Sequence, residues 1–173
     1  MLGWFRKRPE EAAAARLLDT VVRVSRQPGF YGEGRVPDTL QGRLEVLQLH
    51  AILALRRLKA EPSAAALAQV FTDRLFANID AGLREDGVGD LSVPKKMYKV
   101  AGGFYGRLPV YDGALSAADR TALTEAIGRN VLAAADAPYA ATLADHALAA
   151  AAALAQRPLP DMERLDAWGA APV

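Results

Sequence analysis

Apolar residues recur at the spacing of an α-helix along most of the chain, and this periodicity constrains the fold more than any other feature. The pattern is densest over residues 38–58, where one continuous stripe consists of Leu40, Leu44, Leu47, Ala51, Leu55 and Leu58. Further apolar side chains surround that stripe, which is typical of a helix buried at the centre of a bundle. No stretch alternates as a strand on a sheet surface does, so we predict an all-α fold.

The sequence predicts a single-domain bundle of about six helices. Breaks in the apolar pattern place them near residues 10–26, 38–58, 63–86, 92–111, 116–136 and 138–156. We expect Asp38, Ser92 and Ser116 to cap helix starts, since short polar side chains accept hydrogen bonds from free backbone N–H groups. Gln41 would complete a capping box with Asp38.

Three parts are distinguished along the chain by composition. Residues 1–36 form an N-terminal helix followed by a Gly/Pro-rich loop arm, residues 37–157 the main helical domain, and residues 158–173 a Pro-rich C-terminal tail. The tail either docks through Leu165 and Trp168 or stays free.

Composition excludes several classes of protein. The net charge of +1 argues against a protein built to bind nucleic acid, which needs a strong basic excess. The absence of cysteine excludes disulfides, thiolate nucleophiles and cysteine-based metal sites. Charged residues such as Arg43 and Arg57 bracket the longest apolar run too closely for a transmembrane helix, which needs about 20 apolar residues.

No combination of residues forms a catalytic motif. The two histidines, His50 and His146, lie far apart in sequence, and we expect His50 to be packed or hydrogen-bonded on its buried helix. Asp145 cannot orient the adjacent His146, because neighbouring residues on a helix point about 100° apart. Asp86 and Asp90 fit turn positions better than a carboxylate pair. We therefore predict a binding protein and no enzyme, with no catalytic residue, metal or cofactor.

The composition changes over residues 84–107, REDGVGDLSVPKKMYKVAGGFYGR, where lysines, aromatic residues and glycines interleave. Helical periodicity predicts one core-facing side made of Met97, Val100, Ala101, Phe104, Leu108 and Tyr111. It predicts an outer side made of Lys95, Lys99, Gly102 and Gly106, flanked by Tyr98 and Tyr105. This stretch is where we expect the functional surface.

The cluster of Gly102, Gly103 and Gly106 needs a physical reason, because glycine inside a helix costs about 1 kcal/mol relative to alanine. One interpretation is that a helix of another protein approaches the bare backbone there. The alternatives are packing against a helix of this same domain, or a helix that frays before Pro109.

The first eight residues combine apolar and cationic side chains. Their apolar run is too short for a secretory signal. Trp4 and Phe5 beside Arg6, Lys7 and Arg8 suit contact with an anionic membrane surface, and the alternative is a frayed terminus.

Two stretches resemble the ubiquinol-cytochrome c chaperone family. They are PDTLQGRLEVLQLHAILALRRL, residues 37–58, and LFANIDAGLREDGVGDLSVPKKMYKVAGGFYGRLPVYDGAL, residues 75–115. The GVGDLSVPKKM run is the most specific part, and the resemblance extends from residue 37 to about residue 156.

The resemblance implies an assembly factor that binds newly made cytochrome b, a membrane subunit, and promotes assembly of the ubiquinol-cytochrome c reductase complex of the respiratory chain. It also implies a client-binding role for Asp90, Leu91, Ser92, Val93, Pro94, Lys95, Lys96, Met97, Phe104, Tyr105 and Arg107. Mitochondrial members work with a small partner subunit and near the ribosome, and both partners are left open here.

The absence of a transit-like presequence fits a bacterial cytoplasmic protein, peripheral at the inner face of the inner membrane. The alternative function is a peripheral lipid-binding helical module. It would use residues 4–8 together with Lys95, Lys96 and Lys99.

Overall fold

The computed structural model describes residues 9–172, which form six α-helices joined by loops and four short 3-10 helices. The α-helices are α1 (Pro9–Ser25), α2 (Leu40–Lys59), α3 (Ala65–Glu85), α4 (Val93–Ser116), α5 (Arg120–Val131) and α6 (Pro138–Ala155). The described part of the chain contains no strand beyond one isolated bridge between Tyr31 and Val36. The predicted all-α bundle of about six helices is confirmed.

Helix α2 lies at the centre of the bundle, as its apolar pattern predicts. It contacts every other α-helix, and side chains on all its sides are buried. Within residues 9–172, no helix combines the length and the apolarity that crossing a bilayer requires.

The N-caps of two helices lie one and three residues after the predicted capping residues. Thr39 caps α2, because its hydroxyl accepts from the Gly42 amide at 3.1 Å. Asp38 instead binds Arg43 at 2.6 Å, a charge-assisted bond that competes with capping. The carboxylate of Asp119 caps α5, whereas Ser116 is the last residue of α4.

Helix α4 continues through Pro109 and ends at Ser116, beyond Tyr111, the last residue of the predicted core-facing side. Phe104, Tyr111 and Leu115, on both sides of the proline, are buried in the core. Their packing outweighs the one backbone hydrogen bond that proline removes, so the alternative that the helix frays before Pro109 is wrong. Ser92 stands at the predicted N-cap position, but its hydroxyl makes no capping hydrogen bond.

Both ends of the described chain pack against the bundle. Helix α1 contacts α2 and α3, and Phe30 in the following loop is fully buried. The tail docks through Trp168, which is also fully buried and donates from Nε1 to the Met162 carbonyl at 2.9 Å. Leu165 stays 37% exposed. The boundaries at residues 36 and 157 remain predictions of chain organisation, and the membrane-contact prediction for Trp4 to Arg8 lies outside the described residues.

The two histidines meet inside the core. His50 Nδ1 lies 2.8 Å from the Val46 carbonyl, and its Nε2 lies 3.1 Å from Nε2 of His146. Phe30 packs edge-on against both rings. The expectation of a packed, hydrogen-bonded His50 is confirmed, and Asp145 is bound by Arg120 at 2.6 Å.

Candidate functional site

Helix α4 and the turn before it carry most of the large exposed hydrophobic side chains within residues 9–172. Among residues 9–172, five large hydrophobic side chains are strongly exposed, and four of them lie on α4 or in the turn before it. They are Leu91 at 99%, Tyr98 at 83%, Tyr105 at 56% and Val110 at 49%. Single exposed apolar residues are normal, but a cluster on one element indicates a contact surface.

These side chains share one side of α4 with three open glycines. At about 100° per residue, Tyr98 and Tyr105 lie on one line along the helix, seven residues apart. The surface they form with their neighbours, which we name the α4 face, consists of Tyr98, Gly102, Tyr105, Gly106, Val110 and Gly113.

Next to the glycines of the α4 face there is open space where a side chain would project. A Cβ atom placed on Gly102 or Gly106 would find no atom within 4 Å, and one on Gly103 would meet only the Arg107 side chain at 3.6 Å. The interpretation that a helix of this same domain packs on Gly102 and Gly106 is therefore wrong. Their backbone is open to close approach from outside.

Pro109 removes one backbone donor from α4. Proline has no amide hydrogen, so the Tyr105 carbonyl four residues earlier lacks its usual helical donor. The α4 face thus offers aromatic rings and bare backbone to a partner.

The start of α4 is basic. Lys95, Lys96 and Lys99 are exposed, and no ion pair within residues 9–172 involves a lysine. The nearby Asp90 is bound to Arg84 at 2.5 Å. We name the surface of Leu91, Lys95, Lys96, Tyr98 and Lys99 the basic end of α4.

A buried ion pair beneath α4 fixes which side of the helix faces outward. Arg107 contacts Glu45 of α2 at 2.6 Å and also donates to Gln48 at 3.0 Å. Glu45 is only 4% exposed, and burial raises the pKa of its carboxyl while Arg107 opposes that rise. Phe104, fully buried, packs edge-on against Phe76 of α3 with ring centres 5.5 Å apart.

The residues predicted to bind a client divide into two groups. An exposed or partly exposed group consists of Asp90, Leu91, Ser92, Pro94, Lys95, Lys96, Met97 and Tyr105. Val93 and Phe104 are fully buried, and Arg107 is held by Glu45, so these three lie under the surface and support it. Sequence reasoning missed Val110, because its exposure depends on α4 continuing through Pro109.

Comparisons with known proteins agree on one family. The family model described as Ubiquinol-cytochrome C chaperone matches residues 33–167, which include α2 to α6. The crystal structure of the Cbp3 homolog from Brucella abortus is similar to this chain, with 40% sequence identity, a TM-score of 0.77, and coverage of 91% of this chain and 88% of that one. A comparison with curated protein sequences gives no significant match.

Proposed function

The chain belongs to the ubiquinol-cytochrome c chaperone family, and on that premise we propose that it binds newly made cytochrome b and holds it for assembly. Family membership supports a chaperone role in building the ubiquinol-cytochrome c reductase complex. The bound subunit and the contact surface are the parts that we propose.

The observation that carries this proposal is the exposed α4 face. A membrane subunit presents helices of about 20 apolar residues, about 30 Å long, that need shelter before insertion. Helix α4 has 24 residues and is therefore about 36 Å long, which is enough to lie along such a helix. Its tyrosines supply apolar contact area, and its glycines let a second backbone approach closely.

We propose a contact surface that includes the exposed residues predicted from sequence. It consists of Asp90, Leu91, Ser92, Pro94, Lys95, Lys96, Met97 and Tyr105, extended by the remainder of the α4 face. The contact surface is supported by three residues beneath it, which hold α4 against α2 and α3: Val93, Phe104 and Arg107.

We further propose that the protein works by binding, without chemical turnover, at the inner face of the inner membrane, where its client is inserted. His50 and His146 are committed to the core contact between α2 and α6. A small partner subunit and the ribosome remain expectations from the family resemblance.

Affinity capture from detergent-solubilised native membranes tests the client and the surface together. Gly102→Leu and Gly106→Leu place a side chain where a partner backbone would approach. Gly82→Leu on α3 is the matched control, because a Cβ there also meets nothing within 4 Å. We expect wild type and Gly82→Leu to recover unassembled cytochrome b, and the two α4 variants to recover about tenfold less, the loss expected for about 1.4 kcal/mol of binding free energy.

Circular dichroism would confirm that all four proteins are folded. Equal recovery by every variant would show that the α4 face is not the contact surface. If wild type recovered no cytochrome b, the proposed client would be wrong.

A further inference from the structure

The lysines of this protein are used differently from its arginines. Arginines across the surface form ion pairs, for example Arg16 with Glu163, Arg74 with Glu11 and Arg120 with Asp145. None of the lysines within residues 9–172 does so, and three of those four lie between positions 95 and 99. The basic end of α4 is therefore a concentrated and uncompensated positive charge.

This arrangement does not favour folding. Cations near the start of a helix oppose its dipole, and neighbouring cations repel one another. The first turn of α4 contains no acidic residue, whereas α1 begins with Glu10 and Glu11. Lysines that destabilise the helix on which they lie indicate a function outside folding, and their charge indicates an anionic partner.

The apolar residues among these lysines indicate what kind of anionic partner it is. Leu91 is 99% exposed in the turn before α4, and Tyr98 is 83% exposed one turn into the helix. This combination suits the interface of a bilayer. There, apolar side chains such as Leu91 and Tyr98 enter the headgroup region, and lysines contact lipid phosphates.

We propose that the basic end of α4 contacts the anionic surface of a membrane, through Leu91, Lys95, Lys96, Tyr98 and Lys99. This contact goes beyond the proposed client binding and does not depend on it. Lys95 and Lys96 also belong to the proposed client surface, but loops of membrane proteins on the cytoplasmic side carry an excess of Lys and Arg and would leave the lysine charge uncompensated, whereas lipid phosphates neutralise it. With the basic end on the headgroups, the glycines of the α4 face stay available to an inserting helix.

Vesicle flotation of the full chain tests the proposal without any client. The probes are vesicles of phosphatidylcholine alone and vesicles with about 30% phosphatidylglycerol, which supplies the anionic surface.

The test variant combines Lys95→Gln, Lys96→Gln and Lys99→Gln. The matched control combines Arg23→Gln, Arg26→Gln and Arg129→Gln, which removes the same net charge from exposed positions on and beside α1 and on α5. Both sets are also made with Arg6, Lys7 and Arg8 changed to Gln, so that the first residues do not mask the effect.

We expect wild type to bind the phosphatidylglycerol vesicles, to bind phosphatidylcholine far more weakly, and to dissociate at about 0.5 M salt, where charges are screened. Losing three lysines should weaken binding about a hundredfold, from about fivefold per lysine near an anionic surface. Leu91→Ser should weaken it further, while the arginine control should bind like wild type.

Three results would overturn the proposal. The lysine variant could bind vesicles as wild type does, which would leave the basic end without a lipid role. The arginine control could lose as much vesicle binding as the lysine variant, which would show that binding depends on net charge and not on the position of the lysines. The lysine variant could also keep vesicle binding while losing capture of cytochrome b, which would assign these lysines to the client alone and not to lipid.

Discussion

At the scale of single residues, the contact between His50 and His146 links the stability of the fold to pH. Burial lowers the pKa of His50 to about 3 and lowers the pKa of His146 as well. In the unfolded chain both rings take up protons near pH 6.5, the ordinary value for histidine. Below that pH the unfolded state binds more protons than the folded state, so stability is full near neutral pH and is lost as the pH falls.

We predict that the free energy of unfolding decreases by about 1 kcal/mol between pH 7 and pH 5.5 through His50 alone. His146 adds to the loss in the same direction. Urea unfolding at the two pH values measures this change. The double variant His50→Leu, His146→Leu removes both titrating rings and should lose most of the pH dependence. A wild-type stability that does not change with pH would contradict the prediction.

Single-residue predictions from sequence were accurate where the cause is local. His50 was expected to be buried because its helix is apolar on all sides, and this was confirmed. Its partner His146 lies 96 residues away in sequence, a contact that no local pattern encodes. The α2 cap was misplaced because Asp38 and Thr39 are both good capping residues, and only the position of Arg43 shows which one is used.

At the scale of elements, α4 contains glycines that lower its stability, and they lie on the surface that we propose as the client contact. Its open glycines could be alanines without any clash, since a Cβ on Gly102 would meet no atom within 4 Å. Alanine is better than glycine in a helix interior, and it also lowers the entropy of the unfolded chain. A helix shaped only for folding would not keep glycine there.

We predict that Gly102→Ala raises the free energy of unfolding by about 1 kcal/mol. Gly42→Ala on α2 is the opposite control, because its Cβ would lie 2.1 Å from the Pro37 carbonyl oxygen and should destabilise the protein. Chemical denaturation of the two variants measures both effects. Loss of stability in Gly102→Ala would show that the glycine has a structural role in the chain itself.

Helical periodicity predicted which side of α4 faces the core, and the full burial of Phe104 and Tyr111 agrees with it. It could not decide between an internal and an external partner for the glycines, because that depends on where α2 and α3 lie. It also could not decide whether α4 continues through Pro109, since local propensity disfavours proline there and only tertiary packing compensates.

At the scale of the whole molecule, the C-terminal tail closes the core that the helices build. The rings of Trp168 and His50 lie 6.2 Å apart between their centres, and Thr20 of α1 donates to the Glu163 carbonyl at 2.8 Å. The sequence alone leaves open whether the tail docks through Leu165 and Trp168, because short Pro-rich terminal segments can be docked or free.

We predict that Trp168→Ala destabilises the protein by about 3 to 5 kcal/mol, the usual cost of removing a large buried aromatic side chain. Trp168→Phe should cost less, because it keeps most of the apolar contacts and loses mainly the hydrogen bond to Met162. Urea unfolding followed by circular dichroism compares the two. Unchanged stability in Trp168→Ala would mean that the tail does not contribute to the folded core.

The position of the lysines also makes one end of the molecule chemically distinct. Three of the five lysines in the sequence lie at the start of α4, and primary amines are the groups that acylating reagents modify. Such a reagent would concentrate its label at that end, on the side of α4 that also carries Gly102 and Gly106. The same side chains would report, through loss of labelling, when that end becomes covered.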